Sequence, residues 1–340
     1  DEGRTALRGV LAQRPLYVSW QLHLAGSLAL LEAWEGNLRT AERYAGAVLR
    51  RARAAGIGPH PALVDALLAL GHVRRARGDL RRAMVPLQRA NTIATRFRRP
   101  TMRAMHTVEV AALSLAAGEP DRGLEAIRSL REAGEPPPPP LVARQLLAET
   151  IRCAIATREL TYARVLLPLD DVPRDGQFAA LGVALAVAEG SLDVAEAELA
   201  AWPASDTSRH GALEKDLWTA ILLLKGGRRA EAVRIGSDLI TSSVDGGDLR
   251  VVLDAGAPGL QLLRAVLHSA PTPPARRIEA MAASHVAVVG LDLSERELEV
   301  VRFLPTPLSN AEMAARLYVS LNTLKTHLRS IYRKLGVNGR

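Results

Sequence analysis

The stretch from Leu67 to Ala90 reads LLALGHVRRARGDLRRAMVPLQRA, and it predicts two helices joined by a tight turn. Gly78 gives the backbone freedom that ends the first helix, and Asp79 can cap the second. Small or apolar residues follow at helical spacing in the second helix (Ala83, Leu87 and Ala90). Gly71 in the first helix and Ala83 in the second leave room for the two helices to approach closely. The stretch therefore predicts an antiparallel helical hairpin.

The same pattern recurs along residues 1–268. Small residues that follow a predicted turn recur at intervals of 32 to 42 residues, at Ala41, Ala83, Gly123, Ala163, Ala195 and Ala232. The turns themselves are predicted at Gly36-Asn37, Gly78-Asp79, Gly118-Glu119, Arg158-Glu159, Gly190-Ser191 and Gly227-Arg228. The spacing Gly71–Gly78–Ala83–Ala90 resembles the tetratricopeptide (TPR) repeat. A single hairpin cannot bury its own apolar face, so stacked hairpins are expected to form a curved solenoid with a long concave groove. An irregular helical bundle is the alternative.

The composition favours an all-α protein. The chain has 340 residues, of which 48% are hydrophobic and 4% aromatic, and Ala, Leu and Arg are abundant. The one cysteine, Cys153, excludes a disulfide framework and is expected to be a small buried apolar group. No apolar run in the sequence is long enough to span a membrane, and we expect no signal peptide. We therefore expect a cytoplasmic protein with no membrane partner.

The formal net charge of +8 is unevenly distributed. Residues 39–103 contain 15 Arg and only three acidic residues, whereas residues 104–290 contain 18 basic and 24 acidic residues. Residues 313–340 contain six basic residues and no acidic ones. A surface of one sign attracts a polyanion, and for 313–340 we interpret this polyanion as DNA. For 39–103, either a functional patch or ordinary solvated helix faces would explain the charge.

Prolines mark two interruptions. Pro136 to Pro140 predicts a stiff polyproline II loop between hairpins. Pro271, Pro273 and Pro274 end the repeats, so 269–290 is predicted to be a linker that carries a short helix near 275–283. The expected domains are thus a helical-repeat domain at 1–268, the linker at 269–290, and a small C-terminal domain at 291–340.

From Leu293 the sequence reads LSERELEVVRFLPTPLSNAEMAARLYVSLNTLKTHLRSIYRKLGV, which predicts three short helices. Ser294 with Glu297, and Ser309 with Glu312, form capping boxes at the first two helices, and Ser320 caps the third. The predicted apolar positions are Leu298, Val301 and Leu304 in the first helix, and Ala311, Met313, Ala314 and Leu317 in the second. A tight turn at Tyr318-Val319 joins the second and third helices, which is typical of a helix-turn-helix.

The third helix has two faces. Leu324, Leu328, Ile331 and Leu335 recur at spacings of 4, 3 and 4 and predict a buried stripe. Asn322, Lys325, Thr326, Arg329 and Arg333 lie on the other side. Lys325, Thr326 and Arg329 fall within the first three turns, where a helix docked in the major groove reaches base edges, and Arg can hold guanine through two hydrogen bonds. Arg333 and Lys334 follow this base-reading part and are expected to hold phosphate.

These segments, LSERELEV, LSNAEMAARLYVS and NTLKTHLRSIYRKLGV, resemble the LuxR/FixJ-type helix-turn-helix family over residues 291–337. The resemblance implies that Lys325, Thr326 and Arg329 contact bases, and that a further set lies near the phosphate backbone (Ser309, Asn310, Ser320, Thr323 and Lys334). Two features depart from the family. Pro305-Thr306-Pro307 replaces small and Gly residues, and the sequence stops at Arg340, where the family's fourth helix, usually the dimer contact, would begin. We expect a homo-oligomer on double-stranded DNA.

The whole layout resembles the MalT-like, large LuxR-type regulators of bacteria. Leu249–Val266 is similar to the end of their repeat domain and Leu22–Gly36 to an early repeat. Those proteins usually begin with a nucleotide-hydrolysing domain, which would lie upstream of Asp1. None of the four lysines closes a Walker A string, the eight histidines lack metal spacing, and no nucleophile elbow is present. We therefore expect no cofactor, no metal and no catalysis in this chain.

The sequence thus predicts an all-α, TPR-like solenoid followed by a small LuxR-type helix-turn-helix domain. The expected function is sequence-specific DNA binding in transcription regulation. An unknown small-molecule or protein effector, bound at the concave groove, would gate the helix-turn-helix. The alternative is a protein-interaction scaffold whose C-terminal helical domain binds protein rather than DNA, and the all-positive 313–340 segment disfavours it.

Overall fold

The computed structural model describes residues 5, 7, 9, 17–167, 175–284, 300, 303–304, 308–317 and 319–335, with backbone only at 284 and 332–335. The described residues are helical and contain no strand. Twelve helices pair as six hairpins: α1 (Val18–Trp34) with α2 (Leu38–Ala54), α3 (Val64–Ala76) with α4 (Leu80–Arg96), α5 (Pro100–Ala116) with α6 (Pro120–Glu132), α7 (Pro140–Ala156) with α8 (Leu160–Leu166), α9 (Gly176–Glu189) with α10 (Leu192–Ala200), and α11 (Arg209–Lys225) with α12 (Arg229–Gly246). In this part of the chain no helix is long and apolar enough to cross a membrane.

All six hairpin turns have the same backbone conformation. One residue adopts a left-handed φ between 67° and 83° at each turn, and the next N–H donates to the carbonyl five residues back at 2.8–2.9 Å. This is the Schellman arrangement that ends a helix. The left-handed residues are those predicted: Gly36, Gly78, Gly118, Arg158, Gly190 and Gly227. At the second turn the Asp79 carboxylate accepts from the N–H of Arg82 at 3.2 Å, which confirms the predicted cap.

The two helices of each hairpin cross at a small, buried residue. The six positions predicted from the spacing are all buried: Ala41, Ala83, Gly123, Ala163, Ala195 and Ala232. At the second hairpin, Gly71 of α3 faces the fully buried side chain of Leu87 on α4. At the third, Gly123 of α6 lies against the backbone of Ala111 on α5, and also against Cys153 of the next hairpin. Cys153 is buried as predicted, and burial raises the pKa of its thiol to about 12. The apolar core lies between the helix layers.

The contacts divide the chain into two compact units, Asp1–Ala283 and Ser284–Arg340. After the hairpins, the first unit continues with α13 (Val251–Asp254), α14 (Gly256–Ser269) and α15 (Pro273–Ser284). The sequence placed the end of the repeats at 268, but Ala275 and Ile278 of α15 are fully buried in the core of the last hairpins. Between the third and fourth hairpins, Pro136 to Pro139 form a loop, and Pro140 begins α7, where its missing N–H is tolerated.

The first and last hairpins of the repeat unit contact each other. The N–H of His210, in α11, donates to the Glu35 carbonyl at 3.2 Å, and the N–H of Arg250 donates to the Ala76 carbonyl at 3.1 Å. Arg75 forms an ion pair with Asp254 at 3.2 Å across 179 residues of sequence. The two ends of the repeat unit are therefore joined by hydrogen bonds and an ion pair.

Charged side chains fill the inner side where these helices meet. We call this group the polar seam, and it consists of His72, Arg75, Glu109, Glu149, Arg152, His210, Glu214, Asp248, Arg250 and Asp254. Asp254 accepts from the Arg250 Nε at 2.8 Å as well as from Arg75, and Glu109 accepts from the Trp34 indole at 2.8 Å and lies 3.2 Å from His72. Sequence patterning missed the seam because its members are far apart in the chain.

We expect Gly71→Ala to destabilise the repeat unit by about 1–3 kcal/mol, because overpacking a filled core has a cost of this order. A Cβ at Gly71 would lie 2.3 Å from Cδ2 of Leu87, which is fully buried and cannot move aside. The matched control is Gly46→Ala in α2, where the nearest atom is the guanidinium end of Arg50 at 3.1 Å. That change should stabilise by about 0.5–1 kcal/mol. Urea unfolding of both variants measures the difference, and equal stabilities would contradict the close-packing argument.

The stability of the repeat unit should fall between pH 6.5 and about 9. Burial disfavours the charged form of His210, but the carboxylates of Glu214 and Asp248 outweigh it and raise the pKa from 6.5 to about 9. A folded-state pKa above the unfolded value gives stability that is present below pH 6.5 and disappears as the pH rises through the folded value. Urea unfolding across this range should show a weaker decline in His210→Gln, whereas the exposed His268→Gln should behave like the wild type. An unchanged decline in His210→Gln would contradict the assignment.

Candidate nucleic-acid interface

Two helices of the second unit build a small apolar cluster. They are α16 (Asn310–Arg316) and α17 (Leu321–Leu335). The buried members are Val300, Met313, Ala314, Leu324, Leu328 and Ile331. The predicted stripe of α17 is thus confirmed at its first three positions, while the Leu335 side chain lies outside the described residues. In α16, Met313 and Ala314 are buried as predicted, Leu317 is half-buried, and Ala311 is exposed because it lies on the other side of the helix.

A capping box begins α16. The Ser309 hydroxyl accepts from the N–H of Glu312 at 3.3 Å, and the Glu312 carboxylate accepts from the Ser309 N–H at 2.8 Å. The Ser309 hydroxyl also donates to that carboxylate at 2.7 Å, and these hydrogen bonds lower the Glu312 pKa. The box was predicted from the sequence, and it uses the same Ser309 hydroxyl that the resemblance places near phosphate. Asn310 beside it is exposed.

The start of α17 is capped as predicted. The Ser320 hydroxyl accepts from the N–H of Thr323 at 3.0 Å, and the two hydroxyl oxygens lie 2.8 Å apart. One turn on, the Thr326 hydroxyl donates to the Asn322 carbonyl at 3.0 Å, and the Thr326 side chain remains exposed. This local bond was not predicted, since hydroxyl bonding within a helix has no sequence signature of its own.

The exposed face of α17 is polar and cationic. The side chains of Asn322, Thr323, Lys325, Thr326 and Arg329 are all exposed, opposite the buried stripe of Leu324, Leu328 and Ile331. Arg316, at the end of α16, is a further exposed cation that the predicted site did not include.

Several predicted features lie outside the described residues. They are the side chains of Arg333 and Lys334, the cap formed by Ser294 and Glu297, the positions of Leu298 and Val301, the segment Pro305-Thr306-Pro307, and Tyr318. Of the predicted first helix, the structure describes Val300, which is buried, and Phe303 and Leu304, which pack against the cluster. Among the described residues no group of His, Cys, Asp or Glu could hold a metal ion.

The exposed face can bind DNA by two kinds of contact. Lys325 and Arg329 carry donors that match the acceptors on guanine, and Thr326 offers a methyl and a hydroxyl group. At the helix start, Ser320, Asn322 and Thr323 lie where the helix dipole favours phosphate. One carboxylate, that of Glu312, lies in the described part of this unit, and it is engaged in the capping box. The face therefore combines cations with hydrogen-bonding groups, and this chemistry suits a surface that binds an anion.

Comparison with known proteins relates the C-terminal residues to bacterial regulatory proteins. The family of bacterial regulatory proteins called luxR family (GerE) matches residues 291–340. A "Nitrate/nitrite response regulator protein homolog" of Haemophilus influenzae is 32% identical over 130 residues, which cover 34% of this chain and 61% of that protein. The "Transcriptional regulatory protein LnrK" of Bacillus subtilis is 46% identical over 50 residues, 15% of this chain and 23% of that protein. The chain thus spans about three fifths of the first relative and a quarter of the second.

The match of residues 291–340 coincides with the capped α16, the capped α17 and the cluster that joins them. Residues 291–340 are therefore a helix-turn-helix domain of the bacterial LuxR regulatory family.

Proposed function

We propose that the chain is a sequence-specific DNA-binding transcription regulator of bacteria. The observation that supports it best is the exposed face of α17. Lys325, Thr326 and Arg329 lie there at spacings of 1 and 3, within three turns of the Ser320 cap and opposite the buried stripe. A helix of this kind fits the major groove of B-DNA, which is about 12 Å wide. The names of the two relatives, a response regulator homolog and a transcriptional regulatory protein, agree with this proposal.

In this proposal, Lys325, Thr326 and Arg329 read bases, while a second group holds the phosphate backbone: Ser309, Asn310, Ser320, Asn322, Thr323, Arg333 and Lys334. The division follows position on the helix. Base edges are reached by the first turns of a recognition helix, and phosphates by its flanks and by the neighbouring helix start. The preferred DNA site can be obtained by selection from a random pool with the intact chain.

We expect Arg329→Ala to cost roughly 1–3 kcal/mol on the selected site and much less on random DNA, because removing a base-reading side chain affects only the matching sequence. Helix content should not fall, since Ala is the better helix former. The measurement is a titration of wild type and variant against both DNAs at one salt concentration.

The matched control for this test is Arg316→Ala, which removes the same charge from the same domain at the exposed end of α16. It should change the two affinities by the same factor, as a contact to phosphate or a long-range charge would. Equal losses of specific and random binding in Arg329→Ala would instead make Arg329 a phosphate contact. No loss on either DNA would remove Arg329 from the interface.

We further propose that the repeat unit senses a polar effector at the polar seam and thereby gates the helix-turn-helix. Two features support this. Glu149 Oε2, Glu214 Oε2, Arg75 Nε and Arg250 Nη1 are buried without a hydrogen-bond partner, so a ligand with both donors and acceptors could satisfy them. The seam also joins the first hairpins to the last, so a ligand bound there would alter how the ends meet. Gating requires that the effector bind the two states of the protein with different affinity.

Compounds from a panel of polar metabolites that raise the melting temperature of the chain should slow hydrogen exchange in α3, α5, α7 and α11, which carry the seam. Protection confined to 269–290 would contradict this location. Glu149→Gln removes a seam charge while keeping the side-chain shape, and it should reduce the temperature shift. The control is Glu125→Gln on the exposed side of α6, which should leave the shift unchanged.

A further inference from the structure

The second helices of the first two hairpins carry a dense group of exposed arginines. We call this surface the arginine face, and it consists of Arg39, Arg43, Arg50, Arg51 and Arg53 on α2, Arg81, Arg82, Arg89 and Arg96 on α4, and Arg98 and Arg99 in the loop that follows. All eleven side chains are exposed. This surface lies in the repeat unit and is not part of the helix-turn-helix domain.

The arginines are arranged as stripes. On α2, Arg39, Arg43 and Arg50 follow one another at spacings of 4 and 7, which place them on one side of a helix. On α4, Arg81, Arg89 and Arg96 follow at spacings of 8 and 7, with the same result. Both helices pack on α3, so the two stripes belong to neighbouring hairpins. At 1.5 Å per residue, the stripe on α2 is about 17 Å long and the stripe on α4 about 23 Å.

The charge of the second helices changes along the repeat unit. Helix α2 carries five Arg and one acidic residue, and α4 carries four Arg and no acidic residue. The next second helix, α6, is balanced with three of each sign, whereas α10 carries three acidic residues and no basic one. An Arg-rich composition alone would place arginine evenly on these equivalent surfaces. In the second helices of the other four hairpins the net charge lies between +1 on α8 and −3 on α10, so the large excess belongs to the first two hairpins.

Few carboxylates neutralise the arginine face. Glu42 is held by Arg77, which is not a member, and Asp79 pairs loosely with Arg82 at 3.5 Å. No other member of the face forms an ion pair with a described carboxylate, although Arg39 and Arg51 donate to the Asp245 carbonyl and the Gln21 side chain. On α6, by contrast, Arg122 and Arg128 each pair with a glutamate three residues earlier. Unscreened like charges destabilise a folded protein, so the arginine face has a cost that an external anion would remove.

We propose that the arginine face binds the sugar-phosphate backbone of duplex DNA, as a second contact independent of the base-reading helix. Duplex DNA carries one charge per about 1.7 Å of axis, so a stripe of about 17 to 23 Å faces many phosphates. Guanidinium groups bind phosphate oxygens through paired hydrogen bonds. The same molecule already contains a DNA-binding domain, which makes duplex DNA the polyanion that this surface meets.

The test compares two triple variants of the full chain in the binding of a random-sequence duplex at several salt concentrations. The face variant is Arg43→Gln, Arg50→Gln and Arg89→Gln. The control is Arg122→Gln, Arg128→Gln and Arg131→Gln on α6, which removes the same charge from positions that are also exposed. The slope of log affinity against log salt should fall by roughly 0.9 for each phosphate that is no longer neutralised, so by up to about 2.7 in the face variant. The control should keep a slope close to that of the wild type.

The melting temperature of each variant shows whether it is folded. Because the substitutions relieve charge repulsion, the face variant should be at least as heat-stable as the wild type. The measurements are repeated in an Arg329→Ala background, where the slope difference should persist. If the wild-type chain bound the selected site and random DNA equally well, base reading would be contradicted and this proposal would stand. An unchanged slope in the face variant, or an equal fall in the control, would overturn it. Loss of binding to anionic phospholipid vesicles without loss of DNA binding would also overturn it.

Discussion

Close contact between two helices at a residue with almost no side chain is the constraint on which the repeat unit depends. At every hairpin in the described residues, the second helix presents Ala or Gly, buried, to the first. A larger side chain there would separate the helices and expose the apolar residues on either side, such as Leu87 beside Gly71. The Schellman turns favour the same close contact, because they reverse the chain within two residues and so keep the two helices side by side.

The close crossings hold together the two helices of one hairpin, whereas the polar seam joins the first hairpins of the repeat unit to the last. Ion pairs such as Arg75–Asp254 join helices separated by 179 residues, and His210 lies 3.1 Å from Asp248 and 3.7 Å from Glu214. Burying charged groups is costly unless they are paired and hydrogen-bonded, and four seam atoms lack a partner. The seam therefore contributes less to stability than its number of charges suggests. The main effect of the seam is on position, because its ion pairs hold the first hairpins against the last.

The difference between local and long-range contacts explains what the sequence could predict. Turns and crossings repeat, so even Arg158, which is not glycine, was found by spacing and adopts the left-handed φ of the glycines. The caps at Ser309 and Ser320 were equally accessible, because a cap needs only four consecutive residues. The seam was not predictable, since no pattern links His72 to Glu109 or Arg75 to Asp254. The packing of α15 on the last hairpins was not predicted, because few of its residues are apolar, yet Ala275 and Ile278 are buried.

The two sides of the hairpins therefore have separate electrostatic roles. First helices direct paired charges of both signs inward, where each charge depends on a specific partner. The second helices α2 and α4 direct mainly positive charge outward, where few carboxylates of the described chain balance it. A change in seam pairing can alter how the first hairpins meet the last without disturbing the small-residue crossings within each hairpin. The orientation of α2 and α4 would follow such a change as a rigid body, because their apolar faces stay packed on α1 and α3. The polar interior and the cationic exterior thus lie on opposite sides of the same closely packed helix pairs.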